Sequence, residues 1–218
     1  MNLPGMGLPA EVRRRQALWG LLAVVAVTGC AGTQPRLFVL TPIPAGGGPL
    51  RSRGARSIGV QPVTMPDYLD RPEIVSYTST NELSASRDDQ WAERLPTNVT
   101  RVLAENLSVL LGTDRVQVMP SRRSDRTDYE VSVAFDRFSR AASGQCVLDA
   151  QWSILDGATQ RTLARDRTRI ATTVADGGYP ALVAAMNENL TALSRDIATA
   201  IANLPHKGGN RIWRSCTR

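Results

Sequence analysis

The chain has 218 residues, of which 42% are hydrophobic, and it carries a formal net charge of +6 at pH 7. Arginine supplies almost all of the positive charge and is interspersed with acidic residues, which argues against a nucleic-acid-binding surface. One histidine and three cysteines leave no ligand set for a zinc or copper site, and no cofactor is expected.

The N-terminal region predicts a secreted lipoprotein. Three arginines at positions 13–15 precede an apolar run at residues 17–27, which is too short to span a bilayer and is typical of a signal peptide. The sequence VTGC at residues 27–30 then resembles a bacterial lipobox. We expect a signal peptide of residues 1–29 and acylation of Cys30; a plain signal peptide with a chance cysteine is the alternative.

Residues 30–57 are expected to form a lipidated tether that contains a short strand at residues 36–40. Residue 31 is alanine, whereas aspartate beside the acylated cysteine is the usual signal for retention in the inner membrane. The sequence therefore favours a protein anchored by lipid in the outer membrane and facing the periplasm.

The first half of the folded region is expected to contain strands and one helix. A strand is predicted at residues 57–63, and a hairpin follows with strands at residues 73–79 and 82–86. Apolar residues recur every three or four positions over residues 91–111 and predict the first helix. Pro96 fits its first turn, and Gly112 is expected to end it.

The second half begins with a strand at residues 115–120 and continues with three strands over residues 128–174. Tyr129, Val131, Val133 and Phe135 alternate with polar or small residues, the period of a half-buried strand. Three successive strands of this kind predict an antiparallel meander. A second helix with one apolar stripe is expected at residues 179–204, followed by a basic tail at residues 205–218.

Two cysteines remain after Cys30, namely Cys146 and Cys216. Because the periplasm is oxidising, an even pair of thiols predicts a disulfide that would hold the tail against the sheet. The alternative is two thiols that do not pair.

Catalytic chemistry finds little support in the sequence. The single histidine, His206, lies in the tail and is expected to be exposed, and no nucleophile elbow or nucleotide-binding motif is present. Six acids lie between residues 67 and 93, so a carboxylate pair for glycoside hydrolysis stays open as an alternative: Asp67, Asp70, Glu73, Asp88, Asp89 and Glu93. We expect no catalytic residues and no enzyme.

Two separated motifs carry a family resemblance. Residues 63–75 read VTMPDYLDRPEIV, and residues 87–107 read RDDQWAERLPTNVTRVLAENL. Together with the pattern VSVAFDRF at residues 131–138 and the second helix, they resemble ABC transport auxiliary lipoproteins of the PqiC/YmbA type. The departures are Pro96, Glu73 where the family often has glutamine, and the tail.

The resemblance implies an α+β fold, in which two long helices back a mixed or antiparallel sheet in one domain at residues 58–204. It also implies a function as an outer-membrane component of an intermembrane transport system for lipids or other hydrophobic compounds. The implied partners are a protein with an MCE domain and an ABC permease, while self-association into a homo-oligomer stays open. A free-standing envelope lipoprotein that binds a small ligand or the cell wall is the alternative.

The motif at residues 63–75, which we call the signature segment, suggests a docking role. Its two prolines restrict an exposed loop, so Tyr68 and Leu69 could form an apolar anchor with Asp70 and Arg71 at its rim. The alternative is internal packing of Tyr68 on Trp91, with Asp70 and Arg71 satisfying local backbone groups.

Overall fold

The computed structural model describes residues 34–44, 56–120 and 127–204. These residues form two helices and one eight-stranded mixed sheet, which confirms the α+β fold. The helices are α1 (Leu95–Leu111) and α2 (Tyr179–Asn203). The strands are β1 (Arg36–Phe38), β2 (Ile58–Val60), β3 (Glu73–Tyr77), β4 (Leu83–Trp91), β5 (Val116–Val118), β6 (Tyr129–Arg140), β7 (Cys146–Asp156) and β8 (Thr162–Thr172).

Strands β6, β7 and β8 form the predicted antiparallel meander. The alternation that begins at Tyr129 places every second side chain of β6 in the core as far as Phe135. A β-bulge between Phe135 and Arg137 then shifts the register by one residue. Because of this shift Phe138 also points inward, where it is fully buried and packs on Phe135 with 5.4 Å between ring centroids.

The opposite edge of β6 carries three separate parallel contacts. Strand β2 pairs with the first residues of β6, Thr64 bridges Ala134, and Ser76 of β3 pairs with Arg140. Strand β5 extends the sheet beyond β2, whereas β4 and then β1 extend it beyond β3. The signature segment therefore leaves the sheet between two strands that share one edge of β6.

The two helices contact each other, with α1 against β2 and β5 and α2 against the meander. Helix α1 has Pro96 in its first turn and ends at Gly112, whose φ of 61° is the left-handed conformation that glycine adopts readily. Helix α2 buries one stripe against the sheet, as its apolar periodicity predicts: Leu182, Met186, Leu190, Leu193, Ile197 and Ile201.

Two arginines bind the ends of α2. Arg140 donates hydrogen bonds of 2.8 and 2.9 Å to the carbonyls of Gly177 and Gly178, just before the helix begins. Arg56 donates to the carbonyls of Ile201 and Leu204 at its C-terminus, where positive charge also complements the helix dipole. The helix is thus fixed to the sheet at both ends by charged hydrogen bonds.

Residues 38–44, which we call the N-terminal strap, run from β1 across the two helices. Asparagine side chains of the helices accept three of its backbone N–H groups, at 2.7, 3.0 and 2.9 Å: Leu40 binds Asn98, Thr41 binds Asn187 and Ile43 binds Asn106. Leu40 is fully buried. This part of the expected tether is therefore packed into the folded unit.

The sequence prediction for residues 91–94 was wrong. Trp91 ends β4 rather than beginning a helix, because its N–H donates to the carbonyl of Pro72 at 2.7 Å and it pairs with Phe38 of β1. The helix begins four residues later, at Leu95.

The helices at residues 95–111 and 179–203 are the longest in the described part of the chain. Neither combines the length and the apolar character that a membrane-spanning helix needs.

Candidate functional site

The tip of the signature segment is a single 3-10 turn, Asp67–Leu69, placed directly after Pro66. The N–H groups of Leu69 and Asp70 donate to the carbonyls of Pro66 and Asp67 at 2.9 and 3.1 Å. Because proline fixes its own φ and the turn satisfies its own backbone, this tip is held in one conformation.

The structure corrects the expectation that Leu69 is an exposed anchor. The turn directs Leu69 into the core, where only 3% of its surface stays exposed. A side chain that is already buried in the isolated domain cannot enter a partner's pocket, so Leu69 contributes to folding instead. Tyr68 is partly buried and Arg71 is exposed, and these two meet the exposure condition for an anchor.

Tyr68 packs on Tyr77, the last residue of β3. The alternative, packing of Tyr68 on Trp91, does not appear among the ring contacts of the described residues. The two tyrosine rings meet edge to face at 6.3 Å, and the Tyr77 hydroxyl donates to the Tyr68 hydroxyl at 3.1 Å. The guanidinium of Arg137 lies 4.2 Å from the centroid of the Tyr77 ring. Burial is the main reason why the pKa of Tyr68 is raised to about 12, and the hydrogen bond shared by the two hydroxyls adds to it, so the phenol is neutral at physiological pH.

Asp70 and Arg71 form ion pairs with side chains. Arg94, the residue before α1, binds both carboxylate oxygens of Asp70, with 3.1 Å between Nε and Oδ1. Arg71 donates to Glu73 at 2.8 Å, and this bond lowers the pKa of the Glu73 carboxyl. Exposed pairs of this kind contribute little to stability, because water screens the attraction between the charges. Their main consequence is geometric, since the charges around Tyr68 have defined positions.

The Asp70–Arg94 pair borders two surface cavities, with volumes of about 410 and 320 Å³. Arg71, Pro72, Trp91 and Glu93 line the larger cavity together with the pair. Recesses beside a fixed turn, with polar groups at the rim, are the kind of surface that accepts side chains of a protein partner.

Four of the six acids that kept glycoside hydrolysis open as an alternative form ion pairs with arginine. The bound ones are Asp70, Glu73, Asp89 and Glu93, which pair with Arg94, Arg71, Arg36 and Arg101. Across residues 34–44, 56–120 and 127–204, no group of three or more His, Cys, Asp or Glu side chains could hold a metal ion. Of the four ion pairs, Arg71–Glu73 lies within the signature segment, whereas Asp70–Arg94 and Asp89–Arg36 join separate segments.

Of the predicted cysteine sites, only Cys146 falls within the described residues; Cys30, Cys216 and also His206 lie outside them. Cys146 is fully buried, and Asn189 donates to its sulfur at 3.4 Å. Burial raises the pKa of the Cys146 thiol to about 12. The Cys146–Cys216 disulfide stays a prediction.

Three residues that hold the site residues in place were not predicted from the sequence. Tyr77, Arg94 and Arg137 lie outside the predicted set, although each touches Tyr68, Asp70 or Tyr77. The predicted hairpin strand at residues 73–79 offered one clue, because it overlaps the end of the signature segment and contains Tyr77.

Comparison with known proteins identifies the family. The family model described as the ABC-type transport auxiliary lipoprotein component matches residues 38–198. The intermembrane transport lipoprotein PqiC of Escherichia coli (strain K12) is 24% identical over 186 residues, which cover 84% of this chain and 96% of that protein. The protein named PqiC from Shigella flexneri gives the same values.

Two crystal structures share the fold. One is an uncharacterized protein, with a TM-score of 0.63 and 19% identity over 77% of this chain and 99% of that one. The other comes from Xanthomonas campestris, with a TM-score of 0.61 and 18% identity over 78% and 93% of the two chains. The family groups transport auxiliary components and not enzymes. From this match over most of its length, the chain belongs to the family of ABC-type transport auxiliary lipoprotein components.

Proposed function

We propose that this protein is the outer-membrane lipoprotein of an MCE/ABC-type system that moves lipids or other hydrophobic compounds between the two membranes. In this function it is a docking or channel subunit in the periplasm, and its partners are an MCE-domain protein and an ABC permease. The family description and the name of PqiC, an intermembrane transport lipoprotein, support the transport function.

Acylation of Cys30 anchors the protein in this proposal, and sorting to the outer membrane is inferred from alanine at position 31, where aspartate would signal retention in the inner membrane. Two or more acyl chains are needed for stable attachment to a bilayer. Cys30→Ser is expected to abolish acyl labelling, and an inhibitor of the lipoprotein signal peptidase should cause the precursor to accumulate. Labelling that persists in Cys30→Ser would contradict the anchor.

The observation that carries the docking function is the fixed turn with Tyr68 partly exposed and Arg71 exposed beside it. Aromatic and arginine side chains are common anchors of protein interfaces, and a preformed turn loses little conformational entropy on binding. The proposed contact therefore consists of Tyr68, Asp70 and Arg71, with Leu69 as buried support.

The test measures binding of the membrane-tethered protein to its MCE-domain partner, together with the melting temperature. Tyr68→Ala should weaken binding by more than about 1 kcal/mol. Tyr68→Phe keeps the ring and the packing on Tyr77, so this variant should bind nearly as well as the parent. If Tyr68→Ala instead unfolds the domain, the residue is structural. A Tyr68→Ala variant that folds and binds as tightly as the parent would show that the docking function of the turn is wrong.

Arg71 offers a comparison in which folding is barely affected, because its only ion pair within the described chain is the exposed one with Glu73. Arg71→Ala should weaken partner binding and leave the melting temperature almost unchanged. Arg87, an exposed arginine on β4, is the matched control. Equal binding by Arg71→Ala and Arg87→Ala would contradict the proposal. Recovery of lipid without any protein partner would favour the free-standing lipoprotein.

A further inference from the structure

We propose that the β1 end of the sheet lies against the bilayer that holds the acyl chains of Cys30, with Leu37 and Val39 in contact with the lipid surface. This inference rests on the proposed acylation of Cys30. It adds an orientation for the domain, a second membrane contact and the residues that make it.

The length of chain between the anchor and the fold limits where the domain can lie. Four residue steps separate Cys30 from Gln34, the first residue that the structure describes, and six separate it from Arg36 at the start of β1. A fully extended chain covers at most about 3.6 Å per residue, so β1 begins within about 22 Å of the acylated cysteine. The part of the domain that comes first after the anchor is therefore close to the lipid surface.

That part exposes apolar side chains. Leu37 is 63% exposed and Val39 is 40% exposed, whereas Phe38 packs against the core and Leu40 is buried in it. Because successive side chains of an extended segment point to opposite sides, Leu37 and Val39 share the outward side. Aliphatic side chains that project from a membrane-proximal surface enter the boundary between headgroups and acyl chains, which gives them an apolar environment.

The link between this surface and the domain is fixed. Strand β1 pairs in parallel with the last three residues of β4, and Arg36 forms an ion pair with the buried carboxylate of Asp89. The N-terminal strap then continues from β1 onto both helices. Since the chain is held from Arg36 onward, a short connection to the membrane constrains the direction in which the whole domain faces.

The charges around this surface suit a bilayer interface better than a charged protein partner. Arg36 is neutralised by Asp89, and the exposed neighbours Arg87 and Asp88 carry opposite charges. With little net charge, the contact depends on its apolar side chains and on its proximity to the anchor.

Val118 provides a matched control. It is 42% exposed, close to the value for Val39. It lies on β5, which joins the start of β6 through β2, whereas β1 joins the last residue of β6 through β4 and β3. The proposed orientation places Val39 at the lipid surface and Val118 away from it, although the two side chains are of the same type and are equally exposed in the free domain.

The experiment uses the full acylated protein, reconstituted into phosphatidylethanolamine and phosphatidylglycerol vesicles with brominated acyl chains. A fluorescent non-canonical residue replaces position 39 in one sample, position 37 in a second and position 118 in a third, so that no cysteine has to be changed. Bromine quenches fluorophores that reach the acyl region. Quenching relative to unbrominated vesicles should be at least about twofold stronger at positions 37 and 39 than at 118, given the shallow depth of an interfacial contact.

Flotation with the vesicles distinguishes failure of the proposed orientation from failure of the lipid anchor. If the protein floats but positions 39 and 118 are quenched equally, the proposed orientation is wrong while the anchor stands. If the protein does not float and carries no acyl chains, both the anchor and the orientation are wrong. Leu37→Asp should lower quenching at position 39 without affecting flotation, because the acyl chains still hold the protein; unchanged quenching would also contradict the contact.

Discussion

The two edges of strand β6 are stabilised in different ways. On one edge, every residue of β7 from Cys146 to Asp156 pairs with β6, and β8 continues the same antiparallel ladder. On the other edge, the pairing consists of β2, the Thr64–Ala134 bridge and one residue of β3. The comparison shows a sheet that is continuous on one side and discontinuous on the other.

Side chains compensate where the ladder is interrupted. The hydroxyl of Thr100 on α1 accepts the N–H of Val63 at 3.0 Å, and Asp128 accepts the N–H of Ser57 at 2.8 Å. Asn98 does the same for Leu40 in the strap. A buried N–H without an acceptor costs about 1–3 kcal/mol, so these side chains replace a neighbouring strand. The discontinuous side is the one that carries the signature segment.

The largest effect is expected in the meander, which apolar burial stabilises. Phe138→Ala removes a fully buried ring from β6 and should lower the free energy of unfolding by about 3–5 kcal/mol. Urea unfolding of the mature chain carrying Cys30→Ser would measure it. Phe138→Leu keeps much of the apolar contact and should recover more than half of the loss. A loss of less than about 1 kcal/mol for Phe138→Ala would show that apolar burial is not what stabilises the meander edge of β6.

An intermediate effect is expected where a helix side chain binds the strap. Asn98 both accepts the N–H of Leu40 at 2.7 Å and donates to its carbonyl at 3.2 Å, inside the core. Asn98→Ala leaves both groups unpaired and should lower the free energy of unfolding by roughly 2–4 kcal/mol. Asn187→Ala, which removes the exposed bond to Thr41, should cost less than about 1 kcal/mol. Equal losses for the two variants, measured by the same urea unfolding, would show that burial of the bond is irrelevant.

The smallest effect concerns the outer face of the meander. There Arg167 and Arg169 of β8 bind Asp149 of β7, and the hydrogen bond from Arg167 is the main reason why the pKa of Asp149 lies below its usual value of 3.8. Above pH 3.8 the carboxyl is ionised in both the folded and the unfolded states, and its stabilising effect is fully present. As the pH falls below 3.8, the unfolded chain takes up a proton first, so the contribution is lost as the pH approaches the lower pKa of the folded state.

Asp149→Asn tests this assignment, because it removes the titrating group and keeps the size of the side chain. The free energy of unfolding should fall less steeply with acidification in this variant than in the parent, when both are followed by urea unfolding across the acid range. Identical slopes would mean that Asp149 contributes nothing to acid sensitivity.

The same contrast explains what the sequence could predict. The meander and the stripe of α2 follow from local periodicity, and Gly112 ended α1 where expected, since these features depend on residues close in the chain. The strap, the Asp70–Arg94 pair and the packing of Tyr68 on Tyr77 depend on contacts between separate segments, which no local pattern encodes. The bulge after Phe135 also escaped prediction, because an extra residue in one strand is defined by its partner strand. Leu69 was misassigned for a similar reason, since a 3-10 turn and not an open loop decides which way it points.

The arginines at the two ends of α2 restrict sliding of this helix along its own axis. A slide by one turn is about 5.4 Å, which would break the bonds of Arg140 and of Arg56 together. Axial movement of the helix relative to the sheet is therefore opposed at both ends as well as along its packed stripe. The two arginines therefore join α2 to β6 at one end and to the segment that leads into β2 at the other.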